Sequence, residues 1–341
     1  MFNTKVLSSS SENIEYCASL INKGEIVGMP TETVYGLAAN AYDHCAVEKV
    51  FAAKGRPADN PLIVHIADIN MLYELASYVP DTAKKLADRF WGGPLTMVLP
   101  KSDKVPLITS GGLDTVGIRM PANKVAKNFI KACGVPIAAP SANISGKPSP
   151  TCARHVYEDM CGKIPAVLDG GECAVGVEST VISFEKESVR ILRPGAVTKD
   201  DLLKVADEVI LDEGILSEVD ITKKAASPGM KYKHYSPKAR VILINGSIDK
   251  FLEFAEKNVS DGTYLMCFDG DKDRIPENIN AVFYGKSSVD QAKNLFSVLR
   301  KLDELHAKTV FARVPSSDGV GLAVYNRILR AASFDVVEVG E

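Results

Sequence analysis

The chain has 341 residues, of which 46% are hydrophobic and 24% are charged, and its formal net charge is −3 at pH 7. These values are typical of a globular protein with two domains, each long enough to bury its own core. They exclude a protein that coats nucleic acid with excess positive charge, and the lack of a long apolar run or a signal-peptide pattern predicts a cytoplasmic protein without a membrane partner.

Short strands and helices alternate over the first two hundred residues. Apolar runs predict strands at 26–30, 62–66, 95–99, 116–119, 136–139, 166–168, 179–184 and 189–192. Helical periodicity predicts helices at 43–53, 81–90, 123–133, 151–161 and 199–208. We expect N-caps at Asp81 and at Thr198, the latter forming a capping box with Asp201. Because strands outnumber helices and some are adjacent, the pattern favours an α/β domain with a twisted, mixed sheet.

The last hundred residues predict a smaller, Rossmann-like α/β domain. Its predicted elements are strand 241–244, helix 248–258, strands 263–268 and 281–284, helix 288–306, strand 309–313 and helix 321–332. It has neither a G-x-G-x-x-G motif nor a P-loop, so we assign it no nucleotide of its own. The predicted boundaries are a first domain at 1–205, a connecting segment at 206–238 and a C-terminal domain at 239–341.

The connecting segment reverses its charge. Residues 206–220 contain six acidic residues and no basic one, whereas 221–238 contain five lysines and no acidic residue. Glycine and proline in the basic half are typical of a flexible linker between domains. Lysines interleaved with Tyr232, His234 and Tyr235 also suit a lid over a bound nucleotide. Both interpretations stay open from composition alone.

Polar loops follow several of the predicted strands. The longest, 136–151, carries Ser141, Asn143, Ser149 and Lys147 among glycine and prolines, an inventory that suits a phosphate chain but also an ordinary surface loop. Similar loops lie at 30–36, 54–61, 115–119, 176–180 and 193–195. Ligands of open α/β sheets bind where strands meet loops, so the six loops together predict one anion site. Residues 1–205 contain 22 basic and 22 acidic residues, so any positive groove is local.

Metal-binding and nucleophilic motifs are missing from the sequence. Seven cysteines form no C-x-x-C pair and five histidines are scattered, so no protein-bound metal is predicted. Lys54 and Arg56 suit phosphate oxygens, although cations at a helix C-terminus are also typical of a solvated helix end.

Several motifs resemble one known family. PTETVYGL, KGRPADNPL, GIRMP, PSANISGKPSPT and GVESTV resemble the YrdC-like domain of L-threonylcarbamoyladenylate synthases, and SPGMKYKHYSP at 227–237 resembles the linker of their two-domain form. The resemblance is dense over the first 205 residues. The last hundred residues match mainly by position and fold pattern. It implies a YrdC-like domain with an open positive groove, and a linker that crosses the active site as a lid.

The resemblance also implies a reaction. L-threonine, bicarbonate or CO2, and ATP with Mg2+ would give L-threonylcarbamoyl-AMP and pyrophosphate, for the threonylcarbamoyladenosine modification of tRNA. A carbamate oxygen attacks the α-phosphate, so positioning and charge neutralisation are expected to supply the catalysis. The downstream partner would be the tRNA threonylcarbamoyl-transferase machinery, and a weak direct contact with tRNA stays open.

Residue roles follow from the matching motifs. Lys54 and Arg56 are the predicted catalytic residues, and Arg119 is expected to pair with the threonine carboxylate. The full threonine set is Thr33, His65, Arg119, Ala139 and Ser179, and the ATP set is Arg56, Asn60, Thr115, Ser141, Asn143, Ser149, Arg193, His234 and Tyr235. Glu32 and Glu178 receive no role.

Two other classes of function are alternatives to a synthase. A non-catalytic RNA-binding module would use the same basic concavity, but it predicts a basic domain, which the charge balance disfavours. A carbamoyl-transfer component of hydrogenase maturation would carry acylphosphatase and zinc-finger segments, and C-x-x-C motifs are absent from the sequence.

Overall fold

The computed structural model describes residues 2–185, 188–217 and 235–340. The first domain contains β1 (Lys5–Ser8), α1 (Ser11–Asn22), β2 (Val27–Met29), β3 (Gly36–Asn40), α2 (His44–Lys54), β4 (Ile63–His65), α3 (Asn70–Leu75), α4 (Asp81–Phe90), β5 (Leu95–Pro100), β6 (Thr115–Arg119), α5 (Lys124–Cys133), β7 (Ile137–Ala138), α6 (Ala153–Met160), β8 (Ala166–Asp169), β9 (Thr180–Glu185), β10 (Ser188–Arg193), α7 (Lys199–Leu202) and β11 (Glu208–Leu211). Within the described ranges, no helix is both long enough and apolar enough to span a bilayer.

The first domain is built on one eleven-stranded sheet. Its strand order is β1-β8-β2-β3-β7-β4-β6-β5-β9-β10-β11. Parallel pairs such as β4 with β6 sit beside antiparallel pairs such as β4 with β7. The expectation of a mixed sheet is therefore confirmed. The central strands β4, β6 and β7 are two to five residues long, so the polar loops that follow them begin near the middle of the sheet.

Five elements of this domain were not predicted, namely β1, α1, β3, α3 and β11. Helix α1 is the one for which the sequence carries a clear local signal. Helix α1 has a side-chain cap at Ser10 and buries Ile14, Cys17, Ala18 and Ile21 on one face, which is the helical spacing. Strand β3 has no β-branched residue, and antiparallel pairing with β2 and β7 holds it in the sheet. Strand β1 and helix α3 are short and were also missed.

The helix predicted at 199–208 is wrong in length. The Thr198–Asp201 capping box is confirmed, but α7 ends at Leu202. Strand β11 then pairs in parallel with β10, so the sheet continues past residue 205 into the predicted connecting segment. The predicted cap at Asp81 is also wrong, because Pro80 occupies the cap position and the Asp81 carboxylate forms an ion pair with Lys84 at 2.8 Å.

The C-terminal domain contains β12 (Arg240–Gly246), α8 (Ile248–Asn258), β13 (Thr263–Cys267), β14 (Ala281–Phe283), α9 (Ser288–Glu304), β15 (Thr309–Arg313), α10 (Gly321–Ala331) and β16 (Val336–Gly340). The expected α/β arrangement is confirmed, and every pair in its sheet is parallel. The order β14-β13-β15-β12-β16 places β15 between the first two strands of the domain. Dinucleotide-binding domains instead keep their first two strands adjacent.

The two domains share a buried interface. Val34 and Val177 of the first domain belong to the same apolar cluster as the core of the C-terminal domain. The ring of Tyr235 stacks on Phe296 of α9 with 5.2 Å between ring centroids. On the first domain, the interface is formed by the same loops that follow its strands. Their positions are therefore fixed by contacts from both domains.

Candidate active site

A cleft opens where the central strands of the first domain end. It encloses about 620 Å3 of space, a figure that includes open solvent. Its lining residues come from the polar loops, from the strand ends and from the segment before β12. They are Thr31, Thr33, Val34, Gly36, Arg56, Ile63, His65, Arg119, Ala139, Pro140, Ser141, Asn143, Glu178, Ser179, Arg193 and Tyr235. The structure thus brings together residues from all six predicted loops.

Arg119 is a firmly held cation of the cleft. It is buried at the end of β6, where Nη1 donates to the Thr33 hydroxyl at 2.8 Å, Nη2 donates to Glu32, and Nε donates to the Gly93 carbonyl. Burial alone would raise the pKa of Glu32, but the charge and hydrogen bond of Arg119 outweigh it and lower that pKa. Three of the five guanidinium N–H groups are used within the described chain, so two remain for a ligand.

His65 lies beside Arg119 as an uncharged group. The two residues are direct neighbours across the parallel β4–β6 pair. Burial, with the Arg119 charge, lowers the pKa of His65 to about 3, so its imidazole is neutral near pH 7. Its Nδ1 is buried and has no hydrogen-bond partner among the described residues. A buried polar atom without a partner is costly, which favours a ligand contact at this position.

Ser179 and Arg193 form a further part of the cleft lining. The Ser179 hydroxyl lies 2.8 Å from that of Thr96 and accepts from Arg193 Nη2 at 3.2 Å. Arg193 Nε also donates to the Ser179 carbonyl at 3.1 Å. Burial lowers the pKa of Arg193 to about 10, so this guanidinium still carries its charge near neutral pH. This part of the lining therefore offers a hydroxyl and a cation in fixed positions.

Lys54 lies under the 136–151 loop and is not among the residues that line the cleft. Its Nζ donates to the carbonyls of Ser141 and of Asn143, the latter at 2.7 Å. Burial, together with the Arg56 charge, lowers the pKa of Lys54 well below its ordinary value. Lys54 thus holds the loop, and its direct contact with a phosphate or carbamate stays a prediction. Arg56 lines the cleft and donates to the Pro61 carbonyl at 3.2 Å.

An apolar slot adjoins the polar cleft. It is lined by Pro61, Leu62, Ile63, Thr96, Val98, Leu113, Thr115, Gly117 and Val181, and Ile63 lines both spaces. Thr115 lies at the opposite end of β6 from Arg119, roughly 13 Å away. The Asn60 amide is buried with both polar atoms unpartnered in the described chain. The apolar slot therefore lies directly beside the polar cleft.

The predicted ATP residues occupy different layers of the site. Arg56, Ser141, Asn143, Arg193 and Tyr235 line the cleft and Thr115 lines the slot. Asn60 and Ser149 are buried and absent from both linings. His234 and most of the predicted lid lie outside the described residues. All five predicted threonine residues line the cleft.

Sequence reasoning missed two charged residues of the site. Glu178 lines the cleft and binds the Ser149 hydroxyl at 2.6 Å, and its place in the GVEST motif was the available signal. Arg327 reaches Glu178 from α10 of the C-terminal domain, and nothing in the sequence marks it. In the described part of the chain, no group of three or more His, Cys, Asp or Glu side chains could hold a metal ion.

The fold and the cleft define an α/β protein with a YrdC-like ligand-binding domain. The family profile described as "Telomere recombination" matches residues 19–195, and the profile described as "Threonylcarbamoyl-AMP synthase, C-terminal domain" matches residues 197–333. The chain belongs to the threonylcarbamoyl-AMP synthase family of enzymes.

Full-length relatives agree with this membership. The threonylcarbamoyl-AMP synthase of Pyrococcus abyssi is 45% identical over 96% of both chains, and that of Bacillus subtilis is 41% identical over 98% of this chain and 97% of the relative. The crystal structure of P. abyssi Sua5 complexed with L-threonine superposes with a TM-score of 0.92 at 43% identity, covering 98% of this chain and 99% of that one.

Proposed function

We propose that this protein makes L-threonylcarbamoyl-AMP and pyrophosphate from L-threonine, bicarbonate or CO2, and ATP. The observation that carries the proposal is the cleft itself, in which an arginine-centred polar pocket adjoins an apolar slot. The solved relative with L-threonine supports the amino-acid half. We place the reaction in the cytoplasm.

Threonine fits the Arg119 side of the cleft. The two remaining N–H groups of the Arg119 guanidinium would bind the threonine carboxylate, as charge-assisted bidentate pairs do. Neutral His65 and the hydroxyls of Thr33 and Ser179 would bind the substrate amine and hydroxyl, and Ala139 would contact its methyl group. Because Glu32 holds Arg119 from behind, the guanidinium is oriented before substrate arrives.

ATP fits the rest of the site. The apolar slot would take the base and ribose, with Thr115 and the unpartnered Asn60 amide as polar contacts. Arg56, Ser141, Asn143 and Arg193 would surround the phosphates, and Ser149 supports this region from behind. Mg2+ would enter with ATP and neutralise charge on the phosphates. His234 and Tyr235 would close the site from the connecting segment.

The chemistry requires no protein nucleophile. The threonine nitrogen forms a bond with the carbon of CO2, and a carbamate oxygen then attacks the α-phosphorus while the bond from that phosphorus to the bridging oxygen of pyrophosphate breaks. When bicarbonate supplies the carbon, one proton of the threonine ammonium group combines with the hydroxide lost from bicarbonate to form water. A second ammonium proton is taken up by pyrophosphate. Arg56 and Arg193 would stabilise the charge on the phosphoryl oxygens, and Lys54 would act by holding the loop.

Pyrophosphate release tests the proposal. We expect ATP-dependent release that requires both L-threonine and bicarbonate, and a product that hydrolyses to AMP. Pyrophosphate release without threonine would indicate hydrolysis of ATP to AMP and pyrophosphate, and no release would return the RNA-binding alternative. The product would be consumed by machinery that transfers the threonylcarbamoyl group to adenosine in tRNA, and addition of tRNA alone should leave the release rate unchanged.

A further inference from the structure

Arg327 is the largest fully buried side chain among the described residues. It projects from α10 of the C-terminal domain into the first domain. Nε donates to Glu178 Oε2 at 3.1 Å, Nη1 donates to the Pro194 carbonyl at 2.6 Å, and Nη2 donates to the Glu178 carbonyl at 3.3 Å. One guanidinium therefore ties together the two loops that flank the β9–β10 hairpin.

Both loops carry residues of the cleft. Glu178 precedes Ser179, and Pro194 follows Arg193. The second carboxylate oxygen of Glu178 accepts from the Ser149 hydroxyl at 2.6 Å. A continuous chain of hydrogen bonds thus runs from α10 through Glu178 to the loop that we place at the ATP phosphates.

The charge of this chain needs Arg327. Burial alone would raise the pKa of Glu178, but the charges of Arg327 and Arg193 and the Ser149 hydrogen bond outweigh it and lower that pKa. Removing one partner of a buried ion pair leaves an uncompensated charge, which is far more disruptive than removing both. Without Arg327, the Glu178 carboxylate would have to take up a proton or turn toward Arg193.

We propose that Arg327 is a positioning residue through which the C-terminal domain holds Glu178, Ser149 and Arg193 in the geometry that binds ATP. Of the residues that we place at threonine, only Ser179 adjoins Glu178, and the guanidinium that we place at the threonine carboxylate is anchored by the first domain alone, because the bonds of Arg119 all come from that domain. The inference rests on the proposed synthase function and assigns the C-terminal domain a place in its site.

Four variants of the full chain test the inference. They are Arg327→Met, Arg327→Lys, Glu178→Gln and the double variant Glu178→Gln with Arg327→Met. Arg313→Met is the control, because it removes an ion pair with Asp271 that lies wholly within the C-terminal domain. The dissociation constants of ATP and of L-threonine are measured by calorimetric titration, with melting temperature and pyrophosphate release alongside.

Arg327→Met should weaken ATP binding at least tenfold and threonine binding less than threefold. Arg327→Lys should restore part of the ATP affinity, because it returns the charge without the planar fork. The double variant should bind ATP more tightly than Arg327→Met, since no charge is stranded. Arg313→Met should lower the melting temperature and leave both dissociation constants unchanged.

Three results would overturn the inference. The first is folded Arg327→Met with an ATP dissociation constant within threefold of wild type. The second is an equal weakening of both ligands, which would mark general destabilisation. The third applies if Arg327→Met does not fold. It is an ATP affinity equal to that of wild type in both Glu178→Gln and Arg327→Lys. Wild-type protein that binds ATP but releases no pyrophosphate would instead defeat the proposed function, while the binding constants still decide the role of Arg327.

Discussion

Gly176 and Gly171 offer a matched test of the domain interface. Both have left-handed backbone conformations, with φ of +79° and +81°. A Cβ added at Gly176 would lie 2.6 Å from the Ala292 carbonyl oxygen of α9 and closer still to Lys293, whereas one at Gly171 would meet nothing within 4 Å. Alanine at either position therefore carries the same backbone strain, but only at Gly176 does it collide with the C-terminal domain.

The structure sets the size of the expected difference. The left-handed conformation costs alanine roughly 1–2 kcal/mol at both positions. Relief of the collision at Gly176 requires a movement of about 1 Å, and such overpacking adds about 1–3 kcal/mol. We expect Gly176→Ala to lose about 2–5 kcal/mol and Gly171→Ala about 1–2 kcal/mol of unfolding free energy. Because Gly176 lies two residues before Glu178, its variant should also lose ATP affinity.

Urea denaturation and pyrophosphate release check this expectation. Gly176→Ala should show a lower denaturation midpoint and a higher KM for ATP than Gly171→Ala. Equal losses in the two variants would refute the reasoning, since the larger loss is expected from the collision with α9, which only Gly176→Ala makes.

Three further predictions concern a phosphate contact, the choice of amino-acid substrate and a buried histidine of α6. Arg56→Ala should lose on the order of 100-fold in threonine-dependent turnover while its melting temperature stays near that of wild type; turnover near wild type would remove Arg56 from the phosphate site. Valine, which lacks the threonine hydroxyl, should be rejected because it leaves buried polar groups unpaired, whereas serine should react weakly; equal turnover of valine and threonine would contradict the pocket. Burial lowers the pKa of His155 to about 4, so the folded state stays neutral while the unfolded state takes up a proton below its pKa near 6.5. Stability should therefore fall on acidification, by about 1.4 kcal/mol per such histidine between pH 7.5 and 5.5. The decrease in unfolding free energy between pH 7.5 and pH 5.5, measured by urea denaturation, should be about 1.4 kcal/mol smaller for His155→Asn than for wild type. An identical decrease in the two proteins would contradict the burial argument.

Local signals were enough to find the loops of the site. Polar groups directly after apolar runs placed Thr33, His65 and Arg119 at strand ends, and all three line the cleft. The capping box at Thr198 could also be predicted from the sequence, because its hydrogen bonds join residues that are three apart along the chain. Strand β3 could not be predicted from the sequence, since its residues are small and its place in the sheet depends on pairing with β2 and β7.

Lys54 shows how far a motif alone can go. The sequence predicts a cation near the phosphates or the carbamate, and the structure places Lys54 against the 136–151 loop. Only the folded chain shows that Nζ points at the carbonyls of Ser141 and Asn143. A lysine in the last turn of a helix is normally solvated, and the burial of Lys54 depends on a loop almost ninety residues away in sequence.

The sequence by itself determined the two-domain α/β organisation, the loops that line the cleft and the family that the motifs resemble. Each of these depends on periodicity, composition or contiguous residues. The tertiary structure alone decided that Arg327 is buried against Glu178, 149 residues away, and that the C-terminal domain supports the cleft. Such a contact arises from the path of the whole chain, because a buried ion pair forms only where two distant surfaces meet and exclude water.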